Sequence, residues 1–244
     1  MTQRLRSRIG FELELLAPRG SSRRTLAEAL ALSCGGEIRG VWHLDSEPVP
    51  LEVLGGRFLH LTQGFGIRDA DEAELCTLVD DITIGADLDP SKAALPGWHR
   101  LLTDDLRLAR LLEYHCDPAA PIDEVLDPVA ALWREQTELV GNVRRLDSWG
   151  ATLALAAPAG GERERPCEIV TPPLSADHRE ALDALLRPAR ELGFTVPKEA
   201  AVHLHVDGAA YREPAALANL VRLFGYWREE LRELLGTNPE CKRL

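Results

Sequence analysis

An α+β fold, mostly antiparallel sheet with helices packed on one side, is what this sequence predicts, and three observations carry the prediction. Residues 8–16 alternate Ile9, Phe11, Leu13 and Leu15 against Gly10, Glu12 and Glu14, the period of a half-buried strand. Short extended stretches follow at 37–44, 50–54 and 57–63, separated by Asp, Pro and Gly-Gly punctuation that suits turns between antiparallel strands. Further along, apolar residues recur at helical spacing over segments long enough to cover a sheet.

Taken in order, residues 75–89 mix β-branched residues with acidic turns and read as a strand, a turn and an irregular exit. The segment from Thr103 to His115 is a helix, with Leu106, Ala109, Arg110 and Glu113 at helical spacings and Thr103 as its N-cap. A second helix is expected over 123–138, where Val125, Val129, Leu132 and Trp133 recur with a period near 3.6. Residues 149–158 and 166–172 read as two strands of a hairpin, and their polar connection AGGERER is expected to project over a site. Residues 177–193 form an amphipathic helix with Leu182, Leu185, Leu186 and Ala189 on one side and Gly193 as its stop. A strand follows at 201–207, then a helix over 214–235 that starts near Pro214.

Composition bounds the class. The 244 residues are 45% hydrophobic and 27% charged, which is enough apolar material for a sizeable core in one domain spanning 1–244. A net charge of -11 with scattered Lys and Arg argues against a sequence-independent grip on nucleic acid. No apolar segment has signal-peptide or membrane-spanning length, so a cytoplasmic protein away from membranes is expected. Cys34, Cys76, Cys116, Cys167 and Cys241 show no CxxC spacing and read as reduced, structural thiols. Neither GxxxxGK[ST], GxGxxG after a strand nor GxSxG occurs, so P-loop, Rossmann and α/β-hydrolase chemistry are excluded.

Three short motifs carry the chemistry. In AVHLHVD, alternation puts His203, His205 and Asp207 on one face and Val202, Leu204 and Val206 on the other. Neutral imidazole can ligate a metal, and its cation can pair with phosphate. Glu12 and Glu14 likewise share a face, and two neighbouring carboxylates repel unless a cation or proton intervenes. Glu168 sits in CEIVTPP, where Pro172 and Pro173 fix the end of its strand. Each has a plain alternative, a hydrated strand face, and Asp80-Asp81 reads first as an acidic turn. Together, three carboxylates and an imidazole could hold two magnesium ions with water completing the shell.

In order and spacing, IGFELEL, DDITIGADLD, CEIVTPPL and VHLHVD resemble the motifs of the putative amidoligase family, across nearly the whole chain. The resemblance implies a fold similar to glutamine synthetase and glutamate–cysteine ligase, a funnel-shaped antiparallel sheet holding ATP and Mg2+. It implies that Glu12, Glu14, Glu168 and His203 bind metal and serve catalysis, and that His205 contacts a phosphate. The implied reaction is ATP-dependent amide formation between a carboxylate and an amine of a small molecule or peptide, through an acyl phosphate. It also implies strands and arginines beyond the helix ending near Leu235, so the expectation is either a domain lacking its C-terminal strands through truncation or one whose missing nucleotide contacts come from an oligomer or partner subunit. Two other readings stay open: a non-catalytic relative that binds a nucleotide or peptide, and a metal-dependent amide hydrolase. The hydrolase reading rests on HxH, which in barrel hydrolases lies on the first strand and here comes late.

Overall fold

The structure is a computed structural model and describes residues 7–44, 49–51 and 56–239. The alternation at the N-terminus forms β1 (Ile9–Leu16), followed by α1 (Arg23–Cys34), β2 (Glu37–Leu44), β3 (Val49–Leu51), β4 (Gly56–Arg68), β5 (Glu74–Val79) and β6 (His99–Thr103). Helices α2 (Leu106–His115) and α3 (Asp127–Trp133) precede β7 (Thr137–Val140), β8 (Val143–Ser148), β9 (Ala151–Pro158) and β10 (Pro166–Val170). Then come α4 (His178–Glu191), β11 (Val202–Val206), a 3-10 turn (Gly208–Tyr211), α5 (Pro214–Tyr226) and α6 (Arg228–Leu235). The strands form one antiparallel sheet ordered β11-β1-β10-β5-β4-β6-β9-β8-β7, with β2 and β3 also on β4. No described helix is long and apolar enough to cross a membrane.

Helices α1–α4 cover one face of the sheet, whereas α5 and α6, also expected there, bury none of their residues. Leu26 and Leu30 of α1 and Leu185 and Ala189 of α4 pack on Phe11, Leu13, Phe65, Leu78 and Ile169. Leu112 of α2 and Val129 of α3 pack on Trp42, Leu61, Leu101 and Ala156. Leu61 and Phe65 lie on one side of β4, so both clusters sit beneath the same face. Cys76, Cys116 and Cys167 are buried in these clusters as free thiols, and burial pushes Cys76 and Cys116 up to about 12.

Several elements differ from expectation. Helix α1 was not anticipated, because Leu26, Ala27, Leu30 and Ala31 make an alanine-rich stripe of weak contrast. Thr103 ends β6, and Asp105 caps α2 by accepting from the Arg107 N–H at 2.7 Å. The expected 123–138 helix shortens to α3, since Arg134 takes a left-handed conformation (φ 58°) and 137–140 pairs with β8. Residues 149–158 and 166–172 are not a hairpin: β9 pairs with β6 and β8, and β10 with β1 and β5. The helix over 214–235 breaks at Trp227 into α5 and α6. The strand expected at 50–54 is present over Val49–Leu51, while 52–54 and Cys241 lie outside the described residues.

The sheet forks at β4. One edge pairs with β2 along 61–68, and the other with β6 at Leu59–Thr62 and then β5 at Phe65–Arg68. Gln63 and Gly64 fall in the gap. Arg23 at the start of α1, 1% exposed, fills it: Nε donates to Gln63 O at 2.8 Å, and Nη1 donates to Arg163 O at 2.6 Å and Pro166 O at 3.2 Å. Its guanidinium stacks over Trp98, 4.5 Å from the ring centre. Gly64 is required here, because a Cβ would lie 2.9 Å from Leu78 O.

The expected projecting loop is a second part of the same plug. Glu162, Glu164 and Arg165 in the β9–β10 connection are buried. Arg163 donates Nε to Asp80 Oδ2 at 3.2 Å, Nη2 to Asp80 Oδ1, and further N–H groups to Ile84 O and Asp81 O at 2.7 and 2.6 Å. Burial would raise the Asp80 carboxyl, but the charges of Arg163 and Arg23 outweigh it and hold it below its ordinary value.

Two outcomes follow for stability. Arg23→Met leaves three buried carbonyls without donors and is expected to lower the unfolding free energy by about 3–5 kcal/mol, read by urea denaturation. Asp80 releases its proton more readily folded than unfolded, so its contribution is present above its ordinary value of 3.8 and is lost as pH falls through the native value. Asp80→Asn should therefore be less stable at neutral pH and show a shallower loss of melting temperature below about pH 4 than the wild type.

Candidate metal centre

Strand register brings the four expected ligands to one place. In the β1–β11 pair Glu12 lies opposite His203, and in the β1–β10 pair Glu14 lies opposite Glu168. Directly paired residues of antiparallel strands share a face, and Glu12 and Glu14 share one by alternation. All four side chains therefore leave the sheet on the side away from α1–α4. One ligand atom from each of Glu12, Glu168 and His203 lies within 4.8 Å of the other two.

The contacts define the electrostatics. Glu12 is bracketed by two imidazoles, with His203 Nδ1 at 2.9 Å from Oε2 and His205 Nε2 at 3.0 Å from Oε1. Burial alone would raise the Glu12 carboxyl, but the hydrogen bonds from His205 and His203 outweigh it and lower it. An ionised carboxylate only accepts, so His203 Nδ1 donates to Glu12 and the ring turns Nε2 toward Glu14. That Nε2 is 3.6 Å from Glu14 Oε1, too long for a hydrogen bond.

Glu14 is the most enclosed acid of the group, at 6% exposure. Its Oε2 accepts the Ala201 N–H at 2.8 Å. Burial first, and then the charge and hydrogen-bonding contact of Asp81, raise its affinity for a proton, opposed by the Ala201 N–H and His203.

Asp207 does not join the cluster, although it follows the same strand. Its carboxylate faces Arg8 at 3.4 Å and caps the 3-10 turn through the Ala209 N–H. His205 is at the rim, beside a cleft of about 350 Å³ that Glu12, Thr171 and Pro173 also line. Two further residues take part, of which Asp81 was the second reading of the Asp80-Asp81 turn, as an added ligand or substrate contact, and Glu199 was not anticipated. Asp81, read first as a turn residue, does accept from Thr83 N–H and Oγ1–H at 2.8 Å, yet it also meets Glu14. Glu199 accepts the Gly85 and Ala86 N–H groups, both at 2.8 Å, and ties the loop after Asp81 to the start of β11. The Asp-Asp pair at a strand end was the available signal for Asp81; nothing in the sequence marks Glu199.

A family model described as a putative amidoligase enzyme matches residues 5–243. The chain belongs to the putative amidoligase family. All four ordered motifs lie within the matched span, and membership in the amidoligase family supports ligase activity. No curated protein and no solved structure matches the chain.

Glu14→Gln keeps a carbonyl for Ala201 while removing a buried charge beside Asp81. In chelator at neutral pH this variant is expected to melt a few degrees higher than the wild type, roughly the effect of 1 kcal/mol, in a thermal scan. An unchanged or lower melting temperature would mean that the acidic cluster is not under repulsion.

Proposed function

We propose that this amidoligase relative is an ATP- and magnesium-dependent ligase that joins a carboxylate to an amine through an acyl phosphate. The observation that carries the reading is the approach of Glu12, Glu168 and His203 ligand atoms to within 4.8 Å, with Glu14 behind them, on the open face of an antiparallel sheet. The donor set fits a hard divalent cation, since it is mostly carboxylate oxygen. Adjacent donors on an octahedral cation with bonds of about 2.1 Å lie about 3.0 Å apart, so His203 Nε2 and Glu14 Oε1, 3.6 Å apart, would draw together to share one.

Glu12, Glu14, Glu168 and His203 hold the metal in this reading. The His203 tautomer is fixed by Glu12, and Glu14 is steadied by the Ala201 N–H, so both present one defined atom. His205 is exposed enough to meet a phosphate and stays oriented through Glu12. When bound, magnesium would screen the charge of the nucleotide phosphates. A carboxylate oxygen of the acid attacks the γ-phosphorus and ADP leaves. The amine nitrogen then attacks the acyl carbon, phosphate departs, and the nitrogen gives up a proton.

Calorimetric titration of ATP with and without magnesium tests the reading on the wild type, Glu14→Gln and His203→Ala. Binding that requires magnesium and weakens at least about tenfold in both variants is expected. Magnesium-dependent binding without amine-dependent phosphate release across a broad acid and amine panel would favour a non-catalytic binding protein. Amide cleavage without ATP would favour a hydrolase, and no binding by a folded wild type would overturn the ligase assignment.

A further inference from the structure

The face that carries the acidic cluster does not end there. Glu168 pairs with Val79, Val79 lies against Gly64, and Thr62 follows Gly64 on the same side of β4. Thr62 is in register with Arg100 of β6, so Arg100 also leaves the sheet on the open side. Because β5 and β6 share one edge of β4, Arg100 lies nearly in line with β5. Strand spacings place its Cα on the order of 10 Å from that of Glu168.

Arg100 is out of balance with its surroundings. Its Nε is buried without a hydrogen-bond partner, and so is the Oγ1 of Thr62 opposite. Among the described residues no carboxylate pairs with it. Asp80, the acid whose charge reaches it, is already engaged by two N–H groups of Arg163, and Arg163 adds a second positive charge nearby. Arg145, on the same face further out, also has a buried Nε without a partner, but its Nη2 meets Asp147 and Thr152 at 2.8 and 2.9 Å, so its charge is paired where that of Arg100 is not. A largely buried guanidinium without an anion is costly, and its partner in register is a hydroxyl that is equally unused.

We propose that Arg100 and Thr62 form an oxyanion subsite, accepting a phosphoryl or carboxylate group, on the face that carries Glu12, Glu14 and Glu168. A guanidinium binds such a group through two N–H donors, and the threonine hydroxyl adds a third. The face is then bipolar, with acids that hold a cation at one end and a free positive site at the other. The identity of the anion rests on the ligase reading; the subsite itself rests on Arg100 and Thr62 alone.

The test uses the full chain as wild type, Arg100→Gln, Arg100→Lys and Thr62→Val, with inorganic phosphate, Mg·ATP and glutamate as probes. Thermal scans should show phosphate stabilising the wild type, with the shift lost in Arg100→Gln, reduced in Thr62→Val and partly kept in Arg100→Lys. Calorimetry then separates the sources. A loss of about tenfold or more for Mg·ATP in Arg100→Gln, with glutamate unchanged, assigns a phosphoryl group, and the reverse pattern assigns a substrate carboxylate. If the wild type fails to bind ATP but keeps an Arg100-dependent phosphate shift, the subsite stands and the ligase reading falls. Equal responses of the wild type and all three variants to every probe, or no response in the wild type, would overturn the subsite.

Discussion

The branching of one strand constrains everything else in this molecule. β4 accepts β6 and then β5 on the same edge, and any such branch strands backbone groups where the first partner leaves and the second begins. A side chain with several N–H donors in a rigid fork meets that need better than water could in a buried gap. Arg23 does so for the carbonyls of Gln63, Arg163 and Pro166, while Arg163 binds Asp80 and the loop after β5. The two arginines thus tie α1, β4, the end of β5 and the β9–β10 connection at one point. The direction in which β5 and β10 run from the fork follows from it, and with that direction the position of Glu168.

The chemistry on the open face follows from register rather than from any local loop. Glu12, Glu14, Glu168, His203 and His205 occupy neighbouring positions on three paired strands, so their spacing is set by backbone hydrogen bonding. Rigid placement of that kind suits a site whose ligands must keep a fixed separation. The segment 199–201 adds a further restraint, since Glu199 holds the loop after Asp81 and the Ala201 N–H holds Glu14. Charge changes sign along the same face, from the clustered acids to Arg100.

Much of this was legible in the sequence. Period-two alternation located β1 and β11 and correctly put Glu12 with Glu14 and His203 with His205, because the pleat alone decides the face. Strong amphipathic contrast located α2 and α4 for the same elementary reason. What was missed depends on partners far along the chain. Nothing local says that 149–158 and 166–172 go to different neighbours, or that Arg23 is buried rather than solvated. The run GGERER looks like a solvent loop by composition, and only its contacts with Asp80, Ala17 and Arg19 reveal a buried ionic knot. Asp81 was visible but ambiguous, since its Asx-type turn and its approach to Glu14 use the same carboxylate.

The order β11-β1-β10 has a consequence for how the protein is made. Strand β1 leaves the ribosome long before its partners: it pairs on both edges with β10 and β11, and Glu12 meets His203 across a separation of 191 residues. At 5–20 residues per second, roughly ten seconds or more pass before β1 has either neighbour. During that interval an apolar strand with two open edges is exposed, a state prone to mispairing. The acidic cluster is meanwhile dispersed along the nascent chain, and His203 joins it only when β11 is added. Formation of the centre is therefore a late event that reports completion of the sheet.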